Sequence, residues 1–506
     1  MRIVRLRLCA LCALLLVPVT ASNAAPPEGR GRAPFARVRD IETKWRSFVA
    51  ERGSTGTLPA PVQPAGAPGF EHVVKRVGKI SRDRVRGPRP GQRDTQVEPD
   101  IAIDPNDPST IVAVFQQGRF RDAGSAAPGY ATSHDGGDTW TTASLPNLTV
   151  ATGGRWARAS DPVVATGPRG AVYAQTLVLG DKRCATGIAV QRSDDGGLTF
   201  RRPVIVRQDR CNAFNDKNWI AVDTNAGSPH FGRIYALWDR FVFRDNRARI
   251  VVSFSDDRGK TWSRLREVSR GRFAIGVIPL VGPSGDVTAV YWALAGRRTG
   301  VLAQTSADGG KSWSAPVKIG SNRGREPFGI RAPPLPTAAV DPVTGTLYAA
   351  WQDGRFRTDP AQDIILSRSL DGGRSWSVKR RVNPDSPTSG RDHFTPDVAA
   401  YGSLVHVTYR TRRIAGRHTD LVDERYIASD DGGLIFGKEL VLGPPSDLDY
   451  AAEVTGKDAF LGDYMGVAAL GDTAHAVWCR SSRDGGDRGN KHQNTWSATI
   501  TVTRGP

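Results

Sequence analysis

The sequence has few cysteines, fewer acidic than basic residues, and few stretches with the apolar period of a helix. Its 506 residues include 5 Cys, 51 acidic and 69 basic side chains, with 55 Gly and 34 Pro. Glycine and proline separate short strands, whereas they interrupt helices. The composition therefore favours a globular all-β protein over a helical one.

Long apolar runs are missing after the first residues. There, the basic "MRIVRLRL" precedes the apolar "CALCALLLVPV", and the small residues "SNA" stand before Ala25. This order is typical of a secretory signal, which is too short to span a membrane. We predict a signal peptide at residues 1–24, a secreted protein without a membrane span, and a tether at residues 25–70 with room for one short helix.

Removal of the signal leaves only Cys184, Cys211 and Cys479. In an oxidising compartment, three cysteines favour one disulfide and one thiol. Cys184 and Cys211 fall in loops that the strand pattern described below places on the same rim of a predicted propeller, so we predict that they form the disulfide. Such a bond would stabilise the fold by roughly 3 kcal/mol through loop entropy. Cys479 is expected to be a buried thiol.

The deficit of acidic residues gives a net charge of +18. A basic exported protein attracts acidic polymers, including acidic polysaccharide. An arginine-rich composition spread over every surface explains the charge equally well. No basic stripe with interleaved aromatic residues occurs, so we predict no nucleic-acid partner.

Familiar catalytic motifs are also missing. The sequence contains no His-Glu-x-x-His, no phosphate loop with lysine, and no Gly-x-Ser-x-Gly elbow. We therefore predict no cofactor and no catalytic metal. Acidic loops such as "DPNDPS" could hold a structural calcium, but turn chemistry accounts for them equally well.

What the sequence does contain is one octapeptide written six times. Examples are "SHDGGDTW", "SDDGGLTF" and "SLDGGRSW", and the copies stand 51 to 63 residues apart. The glycines tolerate positive φ, and the aspartate and hydroxyls can bond to a turn backbone. The six aspartates are Asp135, Asp195, Asp257, Asp308, Asp371 and Asp431.

Each interval between octapeptides holds four short β-like runs, which is the pattern of a propeller blade. Seven first-strand segments occur, but the last repeat is one strand short, and "EHVVKRVGKI" at 71–80 can supply that strand. Pairing the chain ends would remove exposed sheet edges. We predict a seven-bladed β-propeller of four-stranded antiparallel blades over residues 71–506, with the last blade completed by an N-terminal strand.

The octapeptide resembles the Asp box, or bacterial neuraminidase repeat, of the sialidase-like β-propellers. The resemblance covers residues 97–440. In that family the box is a structural turn on the rim away from the active site. The resemblance therefore implies a structural role for the six aspartates and a functional rim on the opposite side, although a fold alone does not define a function.

On that opposite rim, the ends of second strands repeat an aromatic residue followed by arginine. Arginine forks bind carboxylates at two points, and sialidases hold their sugar with an arginine cluster. We predict that substrate is bound by Arg240, Arg355, Arg410 and Arg480 together with Asp239, Asp353 and Asp463. Packing between blades, with each arginine paired to a neighbouring acid, explains the same pattern.

The resemblance also implies catalytic residues. Retaining sialidases use a tyrosine nucleophile with a glutamate and an acid/base aspartate. Tyr464 in "LGDYMG" is the candidate nucleophile, and Asp100 or Asp161 is the candidate acid/base. A tyrosine that only plugs the propeller channel is the alternative.

Two features depart from true sialidases. First, the Phe/Tyr-Arg-Ile-Pro stretch that precedes the first box in sialidases is missing, and the most similar segment, "GIRAPPLP" around Arg331, lies in another repeat. Second, sialidase propellers have six blades, whereas we predict seven here. Three hypotheses therefore stand. The chain is a sialidase-like glycoside hydrolase for a carboxylated sugar or polysaccharide, a non-catalytic propeller that binds envelope glycan or a partner protein, or another sugar-cleaving enzyme. We expect a monomer with a carbohydrate partner.

Overall fold

The computed structural model describes residues 70–82, 85, 91–180, 185–245, 247–271, 273–294, 300–413, 420–456, 458–483 and 491–504. The predicted signal peptide, the predicted tether except its last residue, Phe70, and Cys184 lie outside these ranges. The described chain is all-β and contains no α-helix; short 3-10 helices occur at Val150–Thr152, Pro168–Gly170 and Leu448–Tyr450. A helix with the length and apolarity to cross a membrane is therefore also missing from these residues.

Between residues 70 and 320, the described part of the chain contains seventeen short strands. They are β1 (Phe70–Lys79), β2 (Gln96–Asp104), β3 (Asp107–Arg119), β4 (Ser125–Ser133), β5 (Thr141–Ser144), β6 (Arg158–Gly167), β7 (Ala171–Leu179), β8 (Thr186–Ser193), β9 (Val204–Asp209), β10 (Ala213–Val222), β11 (Ile234–Val242), β12 (Arg247–Ser255), β13 (Arg266–Glu267), β14 (Phe273–Val281), β15 (Val287–Leu294), β16 (Gly300–Ser306) and β17 (Val317–Gly320).

The described residues from 337 onward continue the same pattern. Its strands are β18 (Thr337–Val340), β19 (Leu347–Asp353), β20 (Asp363–Ser369), β21 (Arg380–Arg381), β22 (Arg391–Tyr401), β23 (Leu404–Arg413), β24 (Leu421–Ser429), β25 (Leu440–Val441), β26 (Ser446–Asp447), β27 (Ala452–Glu453), β28 (Ala459–Phe460), β29 (Gly466–Leu470), β30 (Thr473–Ser481) and β31 (Gln493–Arg504).

Consecutive strands pair as four-stranded antiparallel meanders. β10–β13, β14–β17 and β18–β21 each form a separate sheet, and β22–β25 carry the extra strand β26. The meanders β2–β5 and β6–β9 join through one residue pair, Ser125 with Ala159, into an eight-stranded sheet. β27 and β28 form a small ribbon. The chain therefore folds largely through local strand pairs.

The two ends of the chain meet in one sheet. β1 lies beside β31 in the order β1-β31-β30-β29, and the pairing runs antiparallel from Phe70–Arg504 to Lys79–Trp496. The strand missing from the last repeat is thus supplied by the N-terminal segment, as the sequence predicted. This pairing satisfies an edge that would otherwise be exposed.

Contacts between the first strands of the meanders close a circuit. β2 contacts β6, β6 contacts β10, and the series continues through β14, β18, β22 and β29 back to β2. We call these seven the inner strands. Apolar clusters fill the space between adjacent sheets, for example where Leu237 of β11 packs with Val277 of β14, and Trp351 of β19 with Trp292 of β15.

The six octapeptides form the same turn between the third and fourth strands of a meander. In the copy at 369–376, the Ser369 hydroxyl donates to Asp371 Oδ1 at 2.8 Å and accepts from the N–H of Gly373 at 2.8 Å. Ser375 donates to Asp371 through its N–H at 2.8 Å and its hydroxyl at 2.5 Å. We call these segments the octapeptide turns. In each of them the aspartate organises the backbone.

Several octapeptide turns also bond to the preceding meander. Thr132 of β4 donates to the carbonyl of Gly196, and Arg368 of β20 donates to that of Gly432, at 3.0 Å and 2.7 Å. A Cβ on Gly197 would lie 2.6 Å from Val112 of the preceding meander. Close approach therefore requires glycine at this position, and the turn connects neighbouring sheets.

Candidate functional site

Five inner strands carry a β-bulge at the same position. The pairing register shifts there, and one residue of each bulge has a positive φ. The bulged residues are Glu98 (φ 54°), Asp161 (φ 49°), Lys217 (φ 31°), Gly276 (φ 71°) and Thr395 (φ 48°). We call this set the bulge ring.

Glycine suits this backbone conformation, yet only the bulge of β14 contains it. A residue other than glycine at positive φ costs on the order of 1–3 kcal/mol, and such strain concentrates at functional sites. Three of the strained positions hold ionisable residues: Glu98, Asp161 and Lys217. The bulge ring is therefore the candidate site of chemistry.

Glu98 is almost completely buried, with 3% of its surface exposed. Gln116 of β3 donates a hydrogen bond to its carboxyl group. Burial, together with the neighbouring carboxyl groups of Asp161 and Asp463, raises the pKa of Glu98 well above its usual range. Glu98 can thus keep a proton at a pH where an exposed glutamate is ionised.

A tight loop brings the last inner strand against Glu98. Arg410 donates to the carbonyls of Leu461 and Gly462 at 2.9 Å and 3.0 Å. Gly462 has a φ of 105°, and a Cβ on it would lie 2.7 Å from the Glu98 nitrogen. Arg410 therefore fixes the loop that carries Asp463 and Tyr464.

Tyr464 is buried beside the bulge ring. Its hydroxyl donates to the carbonyl of Pro162 at 3.0 Å, and its ring meets the Trp219 ring edge-on at 5.3 Å. Burial raises the pKa of Tyr464 well above its usual range, and the carboxyl groups of Glu98 and Asp161 add to the rise. This environment favours the neutral phenol.

Asp463 binds the guanidinium group of Arg331 at two points. The Nε–Oδ1 distance is 3.0 Å and the Nη2–Oδ2 distance is 2.7 Å. Arg331 lies 5.3 Å from the centre of the Phe460 ring, and Arg119 lies 4.9 Å from it. Two arginines thus flank one aromatic ring next to the site.

A narrow cavity of about 20 Å³ opens beside Tyr464. Its walls include Lys217, Trp219, Leu335 and Thr395 as well as Asp463 and Tyr464. The Lys217 ammonium lies 3.8 Å from the centre of the Tyr464 ring and 4.4 Å from that of Trp219. Its nitrogen is buried, and no described residue accepts a hydrogen bond from it.

Asp100 and Asp397 occupy equivalent positions on their strands and accept the same kind of hydrogen bond. Each accepts a hydrogen bond at 2.7 Å from a backbone N–H of the next inner strand, that of Val164 or that of Val467. Burial raises the pKa of Asp100 to about 7 and that of Asp397 to about 6. These carboxyl groups connect adjacent inner strands.

Asp239 makes a similar connection from a second strand. It accepts from the N–H of Gly276 at 2.8 Å, and burial raises its pKa well above the usual range. The structure brings the predicted catalytic residues Tyr464, Asp100 and Asp161 close together, since both acids contribute to the electrostatic environment of Tyr464. Asp239 instead supports the glycine bulge of β14.

The four arginines predicted to bind substrate all contact groups of the protein. Arg240 binds Asp209 at 2.8 Å and 2.9 Å, Arg355 binds Asp353 at 2.9 Å and 2.8 Å, Arg410 binds Glu424 at 2.9 Å, and Arg480 donates to the Pro445 carbonyl at 3.2 Å. None of the four belongs to the described residues that line the cavity beside Tyr464.

A cluster with metal-ligand chemistry lies elsewhere in the fold. One ligand atom each from Asp363, Asp385 and His393 come within 4.8 Å of one another. Arg357 contacts both carboxylates at 3.1 Å and 3.3 Å, and Arg381 contacts them at 2.9 Å and 3.1 Å. Two guanidinium groups already balance these acids, so the arrangement fits an ion-pair network better than a cation site.

The cysteine predictions have different outcomes. Cys479 is fully buried with its sulfur 3.7 Å from the Thr495 hydroxyl, and burial raises the pKa of its thiol to about 12. The disulfide between Cys184 and Cys211 stays a prediction, since Cys184 lies outside the described residues.

Sequence analysis did not place Lys217 or Arg331 in the site. For Lys217, a signal was present. When the inner strands are aligned on segments such as "PDIAIDP" and "PDVAAYG", the position just ahead of the shared pattern holds Glu98, Asp161, Lys217, Gly276, Leu335, Thr395 and Tyr464. Most of these residues form the bulge ring or line the cavity.

Neither a known protein family nor a curated protein matches this chain. Solved structures with a similar chain trace include an α-L-arabinanase of Penicillium chrysogenum (13% identity, TM-score 0.41, 86% of this chain and 98% of that one). A sialidase of Trypanosoma rangeli (12%, 0.43, 69% and 58%) and a PL25 ulvan lyase (12%, 0.46, 81% and 95%) are others. With these TM-scores below 0.5, the likenesses carry no argument about the activity of this chain.

Proposed function

We propose that the chain is a secreted, monomeric, seven-bladed Asp-box propeller that hydrolyses glycosidic bonds at the bulge ring. The circuit of seven inner strands and the six octapeptide turns support the architecture. The basic and apolar N-terminal segment supports export. The placement of two carboxyl groups and a tyrosine among the inner strands supports the chemistry.

The observation that carries the proposal is the pair of strained acids at equivalent bulges. Glycoside hydrolysis uses one carboxyl group that donates a proton and a second that is ionised. Glu98 suits the first role because its environment holds the proton. We assign the second role to Asp161, whose carboxyl group lies at the equivalent bulge and accepts a hydrogen bond from the Ser160 hydroxyl at 2.7 Å.

In the reaction, Glu98 gives its proton to the glycosidic oxygen as the bond from that oxygen to the anomeric carbon breaks. The Asp161 carboxylate stabilises the positive charge that develops on the sugar. Water then adds to the anomeric carbon, and its released proton restores Glu98. Both products leave with the atoms of one water added between them.

The tyrosine mechanism implied by the resemblance requires Tyr464 to lose its proton. Burial and the surrounding carboxyl groups oppose that ionisation, and the phenol is hydrogen-bonded to Pro162. We therefore assign Tyr464 a positioning role that holds the inner strands of two repeats together.

The test is hydrolysis of a panel of methylumbelliferyl glycosides, with acidic and neutral sugars, by the protein without its signal peptide. We expect Glu98→Gln and Asp161→Asn to lower the rate by roughly 10²- to 10⁴-fold. Tyr464→Phe should keep most activity, and the exposed control Glu71→Gln should keep all of it.

Two results would contradict this mechanism. Loss of activity in Tyr464→Phe with retention in Asp161→Asn would establish the tyrosine mechanism instead. A wild-type protein that cleaves no substrate but binds glycan would establish the second candidate, a non-catalytic propeller. The small cavity and the arginines bound to protein groups favour that candidate.

A further inference from the structure

We infer that Lys217 binds the negatively charged group of an acidic sugar residue at the bulge ring. The inference rests on the proposed function, because it names the substrate class that the same site would take. It makes Lys217 the residue that determines specificity, while the chemistry stays with the carboxyl groups.

The geometry of Lys217 is that of a binding group rather than a surface lysine. Its backbone occupies a strained bulge with a φ of 31°, and its stem leads into the cavity wall. The ammonium lies over the Tyr464 and Trp219 rings, and its buried nitrogen has no acceptor among the described residues. A buried ammonium needs such an acceptor.

The acids around Lys217 do not provide this acceptor. Glu98, Asp100, Asp239 and Asp397 interact with it electrostatically, and burial raises the pKa of each, but none of them accepts a hydrogen bond from its nitrogen. Asp216 accepts from the Lys217 backbone N–H at 3.0 Å. A carboxylate brought by the ligand would supply the missing acceptor.

The cavity walls suit a sugar. Trp219, Ile278 and Leu335 offer apolar surface against which the C–H face of a pyranose can pack. The cavity itself has room for about one water, so a sugar ring enters only when the Lys217 side chain moves away from the Tyr464 ring. The net charge of +18 would attract acidic glycans to the protein.

The test is calorimetric titration of the protein with three probes. Two are acidic, methyl β-glucuronide and the methyl α-glycoside of N-acetylneuraminic acid, and one is neutral, methyl β-glucoside. We expect one acidic probe to bind the wild type at least about tenfold more tightly than the glucoside, as for a charge-assisted contact worth about 1.4 kcal/mol.

Lys217→Met should abolish this preference, and Lys217→Arg should retain part of it. Lys311→Met, which removes the same charge from an exposed octapeptide turn, should leave the preference unchanged. Circular dichroism would verify that each variant folds.

Equal binding of acidic and neutral probes by the wild type, or a preference that survives in Lys217→Met, would overturn the inference. Neither result bears on the proposed hydrolysis, because that proposal is tested by the rate at which Glu98→Gln hydrolyses the glycoside panel. Conversely, an intact preference in a protein that cleaves nothing would overturn the proposed function and keep the role of Lys217.

Discussion

The pKa values of aspartates shift in opposite directions in two regions of this molecule. On the octapeptide turn at 369–376, hydrogen bonds from the Ser375 hydroxyl and N–H lower the pKa of Asp371 to about 2. On the inner strands, burial raises the pKa of Asp100 to about 7 and that of Asp397 to about 6. Hydrogen-bond donors stabilise the ionised form, whereas desolvation stabilises the neutral form.

The two regions also differ in how the repeats vary. Every octapeptide turn repeats the same serine-to-aspartate hydrogen bond, at 2.6 to 2.8 Å. In contrast, the equivalent bulges hold a glutamate, an aspartate, a lysine, a glycine and a threonine. A contact that every repeat needs supports the architecture, and a position at which the repeats differ is available for chemistry.

The largest effect on stability is expected where a buried acid depends on a counter-charge. Arg410 is fully buried, pairs with Glu424 and binds the loop before Asp463. Arg410→Met leaves Glu424 uncompensated, so urea unfolding should show a loss of about 3–5 kcal/mol.

Arg374→Met serves as the matched control, because Arg374 is exposed on an octapeptide turn. It should change stability by less than about 0.5 kcal/mol. The double variant Arg410→Met/Glu424→Leu should recover part of the loss. Equal losses in both single variants would show that buried counter-charges do not distinguish the two regions.

A second effect should depend on pH. The pKa of Asp100 in the folded state, about 7, lies above its unfolded value, so its contribution to stability falls as the pH rises from about 4 to 7. Asp100→Asn keeps an acceptor for the Val164 N–H and cannot ionise. Its stability should equal that of the wild type near pH 4 and exceed it by up to about 4 kcal/mol at pH 8.

Denaturant unfolding at pH 4, 6 and 8 measures this difference. A stability difference that stays constant over the three pH values would mean that Asp100 is already ionised in the folded protein. That result would remove the contrast between the inner strands and the turns.

The smallest effect is expected on the octapeptide turn, with the opposite pH dependence. Asp371→Ala removes acceptors for Ser369 and Ser375, and should cost about 1 kcal/mol at pH 7. The folded pKa of Asp371 is about 2, so its contribution is complete above about pH 4 and is lost as the pH falls toward 2. Thermal unfolding at pH 7 and pH 3 would show the smaller difference at pH 3, and an equal difference would contradict the account.

The strand meanders and the pairing of the chain ends were predictable because apolar runs and glycine turns recur along the chain. The site was harder. A bulge shifts the register by one residue, which reverses the face that a side chain occupies. Glu98 and Lys217 therefore lie where simple alternation does not place them. The aromatic-arginine pattern was visible, but its partners, such as Asp209 at the end of β9 for Arg240, lie far from the arginines in the sequence, so no local pattern identifies them.

We propose that the bulge ring performs the chemistry, whereas the octapeptide turns support the fold. The most direct measurement compares initial rates of glycoside hydrolysis for wild type, Glu98→Gln and Asp371→Ala below the unfolding temperature of each. We expect a loss of at least about 100-fold for Glu98→Gln and a near-normal rate for Asp371→Ala. A Glu98→Gln variant that is as active as the wild type would contradict it.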